Sequence, residues 1–233
     1  IGLLGGMSWE SSIEYYRIIN QQVRKKLGGV HSAKIVMISL DFAEIENLQI
    51  NGDWQTAGRI LAKQARKIEE AGADFILICT NTMHLLAEQI SEAVSIPLLH
   101  IADATAAAVL KKSMKQVGLL GTSFTMEKDF YKGRLENRHN LQVMIPDKNQ
   151  RAMVHDVIYD ELVQGKISEQ SRAAYLDVIN SLIKRGAEGI ILGCTEIGLL
   201  VDQVNVPVPV FDTMEIHALS AVEAAFDRFS FSE

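Results

Sequence analysis

Two short segments carry the side chains able to move a proton. The first reads Cys79-Thr80-Asn81-Thr82-Met83-His84 and the second Gly193-Cys194-Thr195-Glu196-Ile197. Each follows a run of Ile and Leu, so a strand delivers a nucleophilic or acid–base group at its end. Cys194 offers a thiol and hence a thiolate base. Thr80 offers a hydroxyl, too weak an acid to become a strong base near neutral pH but able to relay a proton or hold a water. Asn81, Thr82 and Thr195 follow with amide and hydroxyl groups that either hold a carboxylate or amine or cap the helices they begin. The first N–H groups of a helix lack intrahelical partners and attract anions. Two such ends facing one another would cradle an amino-acid carboxylate and favour the Cys194 thiolate. The chemistry this equipment suits is removal of a carbon-bound proton beside a carboxylate. A base alone contributes only about 10²–10⁴-fold to such a step, so positioning and exclusion of water must supply the rest.

Strand-like runs alternate with amphipathic segments along the chain. The spacing predicts strands at Ile1–Leu4, Lys34–Leu40, Asp74–Cys79, Leu98–Ile101, Gln116–Leu120, Leu141–Ile145, Gly189–Gly193 and Val208–Phe211. Helical patterns fill Glu10–Leu27, Trp54–Ala71, Met83–Val94, Ala102–Lys112, Thr125–Asn137, Gln150–Gln164, Glu169–Arg185 and Glu215–Phe229. Alternation of this kind implies an α/β fold with parallel sheets.

The chain also repeats itself. Gly2-Leu3-Leu4-Gly5 returns as Gly118-Leu119-Leu120-Gly121, and Gly72-Ala73-Asp74 returns as Gly186-Ala187-Glu188 at an offset of 114. Ile96-Pro97-Leu98 is echoed by Val208-Pro209-Val210. The reading is two pseudo-symmetric Rossmann-like domains, one of residues 1–100 plus 209–233 and one of residues 101–208. Ligands of open α/β sheets sit beyond the carboxyl ends of the strands, which puts the active site in the cleft between the domains. Met7 and Ser8 end the first strand and are expected to line it, although Ser8 could equally start a helix. The same offset sets Cys194 opposite Thr80, not Cys79. Successive strand residues point to opposite faces, so Cys79 is expected to turn into the core.

These residues resemble the aspartate/glutamate racemase superfamily, whose signature is a Cys-Asn-Thr loop in the first half and a Gly-Cys-Thr loop in the second. The resemblance spans essentially the whole chain, including Gly5-Gly6-Met7-Ser8 and His100-Ile101-Ala102-Asp103-Ala104-Thr105. Glu196 places it nearer the aspartate branch than the glutamate racemases, whose second loop usually carries Thr-His. The resemblance implies a racemase of aspartate or glutamate that uses no pyridoxal phosphate, one cysteine removing the α-proton and another protonating the opposite face. The chain departs from this pattern, because Thr80 stands where the family has its first cysteine. That implies an asymmetric enzyme favouring the L-enantiomer, on which the second-half cysteine acts. The resemblance further assigns the distal carboxylate to Lys166, with Gln49 where the family has an arginine, and counts Glu196 among the substrate-binding residues. It implies a homodimer as well. Hydantoin racemases, maleate isomerases and malonate decarboxylases share the thiol chemistry. A non-catalytic amino-acid-binding protein is the reading from another class, supported by loss of the first cysteine.

Composition narrows the remaining classes. The net charge of −6 argues against nucleic acid as a partner. No apolar run approaches the roughly 18 residues needed to cross a bilayer. Two cysteines make no disulfide framework and fit a reducing cytoplasm. No repeated Cys/His pair suggests a metal, no phosphate-binding glycine motif is present, and no cofactor is expected.

Overall fold

The computed structural model describes residues 1–229. In chain order the elements are β1 (Gly2–Gly5), α1 (Trp9–Leu27), β2 (Val36–Ser39), α2 (Phe42–Ile50), α3 (Trp54–Glu70), β3 (Ile76–Ile78), α4 (Ala87–Ser91) and α5 (Ile101–Lys111). They continue with β4 (Gln116–Gly121), α6 (Ser123–Glu127), α7 (Arg134–His139), β5 (Gln142–Met144), α8 (Lys148–Asp160), α9 (Glu169–Lys184), β6 (Gly189–Gly193), β7 (Val210–Asp212) and α10 (Thr213–Phe229). Two compact units result, one of Ile1–Ile101 together with the segment from His217 onward, the other of Ala102–Ile216.

Each unit holds a parallel sheet. The first runs β2-β1-β3 and the second β5-β4-β6-β7. A bridge from Ile76 to Leu98 adds the Leu98 segment beside β3, the place that β7 takes beside β6. The two strand orders are therefore the same, the structural counterpart of the sequence repeat. Leu4 pairs with Ile78 in one sheet and Leu120 with Leu192 in the other. One residue on, Cys79 takes the place of Gly193; two on, Thr80 takes the place of Cys194.

Burial explains why these runs became strands. All of β3 and all of β6 is buried, so each continuous apolar run is covered on both faces, as parallel sheets require. In the first unit Ala57, Leu61, Ala65 and Ile68 recur along one face of α3 and join Leu4, Ile76 and Ile78 in a single apolar cluster. A buried Leu or Ile of this kind contributes about 1.5–3 kcal/mol. Asp53 starts α3 by accepting the Thr56 N–H at 3.0 Å.

The structure departs from the sequence reading at several elements. Strand β7 belongs with the second sheet, and the chain changes units at His217, whereas the expected division put everything from 209 onward with the first unit. The Pro97 segment shows why: it pairs with the half it closes, and Pro209 begins the equivalent closing strand. Second, the stretch 41–51 contains α2, capped by Asp41 accepting the Ala43 N–H at 3.1 Å. Third, the expected helix Met83–Val94 is divided into a 3-10 turn, Thr82–Leu86, and the short α4. Fourth, Lys128 adopts extended backbone and splits the expected helix Thr125–Asn137 into α6, a π turn at Asp129–Gly133, and α7.

Two buried histidines fix the end of the first unit's chain path. His84 Nδ1 lies 2.8 Å from the Thr80 carbonyl, and the Ile101 N–H donates to His84 Nε2 at 3.2 Å. His217 Nε2 lies 2.8 Å from the Leu99 carbonyl, and Nδ1 lies 2.8 Å from the Tyr15 hydroxyl. Backbone donor and acceptor identities set both tautomers: His84 carries its proton on Nδ1, His217 on Nε2. Burial pushes the His217 pKa down to about 4. The unfolded ring takes up its proton near pH 6.5, so stability is full above that value and is lost as pH falls toward 4. The loss is on the order of 3 kcal/mol. Urea unfolding at pH 7 and pH 5 is expected to show His217→Asn losing most of the pH dependence that this ring contributes.

Candidate active site

In the first unit, β1 and β3 run side by side and end together. Beyond β1 lie Met7 and Ser8, joined by a cis peptide; beyond β3 lie Thr80, Asn81 and Thr82. Ser8 caps α1, its hydroxyl facing the Ser11 N–H at 3.5 Å, and Ser12 donates to the Ser8 carbonyl at 2.9 Å. The Ser12 hydroxyl also accepts the Gly6 N–H at 2.8 Å. A side chain on Gly5 would meet that hydroxyl at 2.6 Å, so glycine is required where β1 meets α1. Thr80, Asn81 and Thr82 are all buried. Asn81 opens the 3-10 turn without capping it. Gln49, carried on α2 and buried, donates its amide to Met83 Sδ at 3.0 Å, one residue beyond Thr82. Met7 packs in the apolar cluster of this unit.

Cys79 is fully buried, and burial raises its pKa far above that of a free thiol. It is held as an inert, neutral side chain.

In the second unit, β4 and β6 end together in the same way. Thr122 follows β4 and caps α6, accepting the Thr125 N–H at 3.3 Å. Like Ser8, it is the N-cap of the helix that follows its strand. Gly193 allows the close approach: a side chain there would lie 2.8 Å from the Leu120 carbonyl oxygen. Cys194 Sγ then donates to Glu196 Oε2 at 3.0 Å, and Thr195 Oγ1 donates to the same oxygen at 2.7 Å. All three side chains are buried.

This arrangement corrects the expected state of the thiol. The Cys194 pKa stands well above the ordinary value: burial is the largest cause, followed by the Glu196 charge and the thiol's bond to that carboxylate. Backbone N–H groups of Glu196 and Thr195 act the other way and are outweighed. The expected helix ends are also absent as such. Thr80 and Cys194 each run into a 3-10 turn, and the one after Cys194 is only Ile197–Leu199. A single turn sums few peptide dipoles, so its pull on the thiol is small. Cys194 rests as a thiol.

Sequence reasoning missed Tyr175 and Asp212. Tyr175, on α9, donates its hydroxyl to the Val154 carbonyl at 2.8 Å. Its pKa is raised by burial first, with coupling to Cys194 and Glu161 adding to the effect. An aromatic residue at a core position of an amphipathic helix gives no sign of this in sequence. Asp212 ends β7, and its Oδ1 accepts the N–H groups of Met214 and Glu215 at 2.9 and 3.1 Å. Burial raises its pKa to about 6, with Glu215 and Glu196 adding to the effect. Lys166 stands apart from this group. Its side chain is exposed and its ammonium donates to Gln164 Oε1 at 2.7 Å.

Among the described residues there is no group of three His, Cys, Asp or Glu side chains placed to hold a metal ion. No helix among them is long and apolar enough to cross a membrane.

Known proteins share this architecture. Residues 4–221 match the family described as Asp/Glu/Hydantoin racemase. The crystal structure of a Yersinia pestis protein assigned as an Asp/Glu racemase is 54% identical and superposes with a TM-score of 0.91, covering 97% of this chain and 98% of that one. An aspartate racemase homologue from Pyrococcus horikoshii is 33% identical, with a TM-score of 0.83 and coverage of 96% and 97%. The broad specificity amino-acid racemase RacX of Bacillus subtilis is 29% identical over 158 residues, 68% of this chain and 67% of that protein. The chain belongs to the Asp/Glu/hydantoin racemase family: it is an enzyme, an amino-acid racemase.

Proposed function

We propose that the substrate is an acidic amino acid, aspartate or glutamate, racemised without pyridoxal phosphate by Cys194 on one face of the α-carbon and Thr80 on the other. The observation that carries this reading is the matched register of two strand ends. Each half presents one proton-bearing side chain at the same place, a thiol in one and a hydroxyl in the other. The substrate would sit beyond the carboxyl ends of the strands, the usual ligand position for open α/β sheets.

The resting thiol needs a route to the thiolate, and Glu196 supplies it. The carboxylate already accepts the Sγ–H bond, so the proton moves along an existing hydrogen bond. An α-ammonium group arriving beside Cys194 would offset the Glu196 charge and lower the thiol's pKa. The thiolate then takes the α-proton: the Cα–H bond breaks, an S–H bond forms, and the electron pair remains on the substrate carbon and its carboxylate. Asn81, Thr82 and Thr195 are suited to donate to that carboxylate as charge builds on it. Return of a proton on the Thr80 side inverts the centre: an O–H bond of its hydroxyl, or of a water it holds, breaks as the new Cα–H bond forms, and the oxygen is reprotonated from solvent. In this reading the Lys166 ammonium swings from Gln164 to the distal carboxylate, and the Gln49 amide adds a neutral donor.

One thiol facing one hydroxyl makes the site unequal, so one enantiomer is handled better. By resemblance to the family that enantiomer is L. The enzyme is further proposed to be cytoplasmic, in keeping with two free, buried cysteines, and to be a homodimer. Supporting the dimer, Trp9, Ile13 and Tyr16 are exposed on α1 at helical spacing; sedimentation velocity distinguishes it from a monomer. A panel of L-amino acids followed by circular dichroism tests the substrate assignment. Loss of optical activity is expected for aspartate or glutamate. Calorimetric binding of L-aspartate with no α-proton exchange at high enzyme concentration would instead identify a binding protein, and turnover of a hydantoin or maleate a sister enzyme.

A further inference from the structure

The second unit contains a cavity of about 700 Å³ beside the Cys194 turn. Its wall includes Asp212 and Gly198, with Lys111, Lys112, Asp202 and Glu215 around them. Asp212 pairs with Leu192 across β6 and β7, two residues before Cys194. Gly198, two residues after Glu196, passes so close to Asp212 that a Cβ there would lie 2.4 Å from Oδ2. The cavity wall and the Cys194–Glu196 pair thus share one tight turn.

We infer that Cys194, Glu196 and Asp212 form a proton relay joining the active thiol to this cavity, with Asp212 its outer member. The inference rests on the proposed racemase reading. In the relay the Cys194 proton passes to Glu196 Oε2, leaving the thiolate; the Glu196 proton passes to Asp212, in one hop or over a bridging water; Asp212 releases it into the cavity. Each hop breaks one X–H bond and forms another, and no other reactant is consumed. Run the other way, the same relay exchanges a proton taken from substrate for one from solvent. Asp212 acts through Glu196 and does not touch substrate. The charges that face it are Glu196 and Glu215 nearby, with Lys111, Lys112 and Asp202 around the cavity. The raised Asp212 pKa suits the task, because a group titrating near the working pH both accepts and releases protons readily.

The test uses the intact enzyme in D₂O with L-aspartate or L-glutamate. Wild type is expected to lose turnover as pH falls through about 6, where Asp212 becomes protonated and can no longer accept. In Asp212→Asn that inflexion disappears, and deuterium wash-in to unreacted L-substrate, per turnover, falls on the order of tenfold. Glu215→Gln removes a neighbouring negative charge and keeps the backbone N–H that caps Asp212, so the inflexion moves to lower pH. A merely structural Asp212 would leave both readouts in place. The relay is overturned if Asp212→Asn keeps the wild-type inflexion and wash-in, or if Glu215→Gln leaves the inflexion unmoved; the second variant decides should the first not fold. A wild type that turns over no amino acid overturns the racemase reading separately. The relay is then read on resting enzyme from the ¹³Cβ shift of Cys194, which is expected to move through the Asp212 titration in wild type and not in Asp212→Asn.

Discussion

Cys194→Ser is expected to lower kcat for racemisation by at least about 10³-fold while substrate binding changes little. The substitution keeps the volume and the hydrogen bond to Glu196, so the fold should hold. What it removes is the thiolate. A serine hydroxyl is far harder to ionise than a thiol. The loss should appear in kcat and kcat/KM alike, the pattern of a group that acts in the transition state. Single-turnover measurements with L-aspartate or L-glutamate would show this. Cys79→Ser gives the contrast. Its thiol is sealed in the core of the first unit, so this variant should retain turnover and lose only stability.

Thr80→Val is expected to separate two rates that fall together in Cys194→Ser. Valine matches the shape of threonine and removes the hydroxyl, leaving the Thr80 carbonyl and its bond to His84 intact. On the proposed mechanism inversion takes its proton on the Thr80 side, so it should fall by about 10²-fold or more. On the same mechanism, exchange of the L-substrate's α-proton runs through Cys194 and the carboxylates behind it and not through Thr80, so it should continue near the wild-type rate. Equal losses in both would mean that Thr80 only shapes the loop.

Much of this was legible in the amino-acid order, for identifiable reasons. Uninterrupted Ile/Leu/Val runs such as Gly189–Gly193 can be buried on both faces in a parallel sheet, so strands and fold class follow from these runs and their alternation with amphipathic segments. The 114-residue offset carried register without any coordinates, and the matched pairs Leu4–Ile78 and Leu120–Leu192 place Thr80 where Cys194 stands in the other half. Other features depend on where side chains end up. Helix α2 is nine residues with only Ile45 and Gln49 buried, too little for a periodic signal. The repeat marks equivalent segments but not which sheet each one joins, so the closing strand at Pro209 reads as part of the first half although it pairs with β6. The protonation of Cys194 was unreadable, because it turns on Glu196 folding back onto the sulfur two residues away. Asp212 is remote in sequence from Cys194 and reaches its neighbourhood only through the pairing of β6 with β7.

The proposed mechanism sets one thiol and one hydroxyl on opposite faces of the substrate's α-carbon. Its most direct measurement is proton NMR of α-hydrogen exchange in D₂O, with L- and D-enantiomers of aspartate or glutamate supplied separately to wild-type enzyme. An L-exchange rate at least about ten times the D-exchange rate is expected, since only Cys194 offers a strong base. Equal exchange of both enantiomers would contradict it, requiring a second base of comparable strength where Thr80 stands.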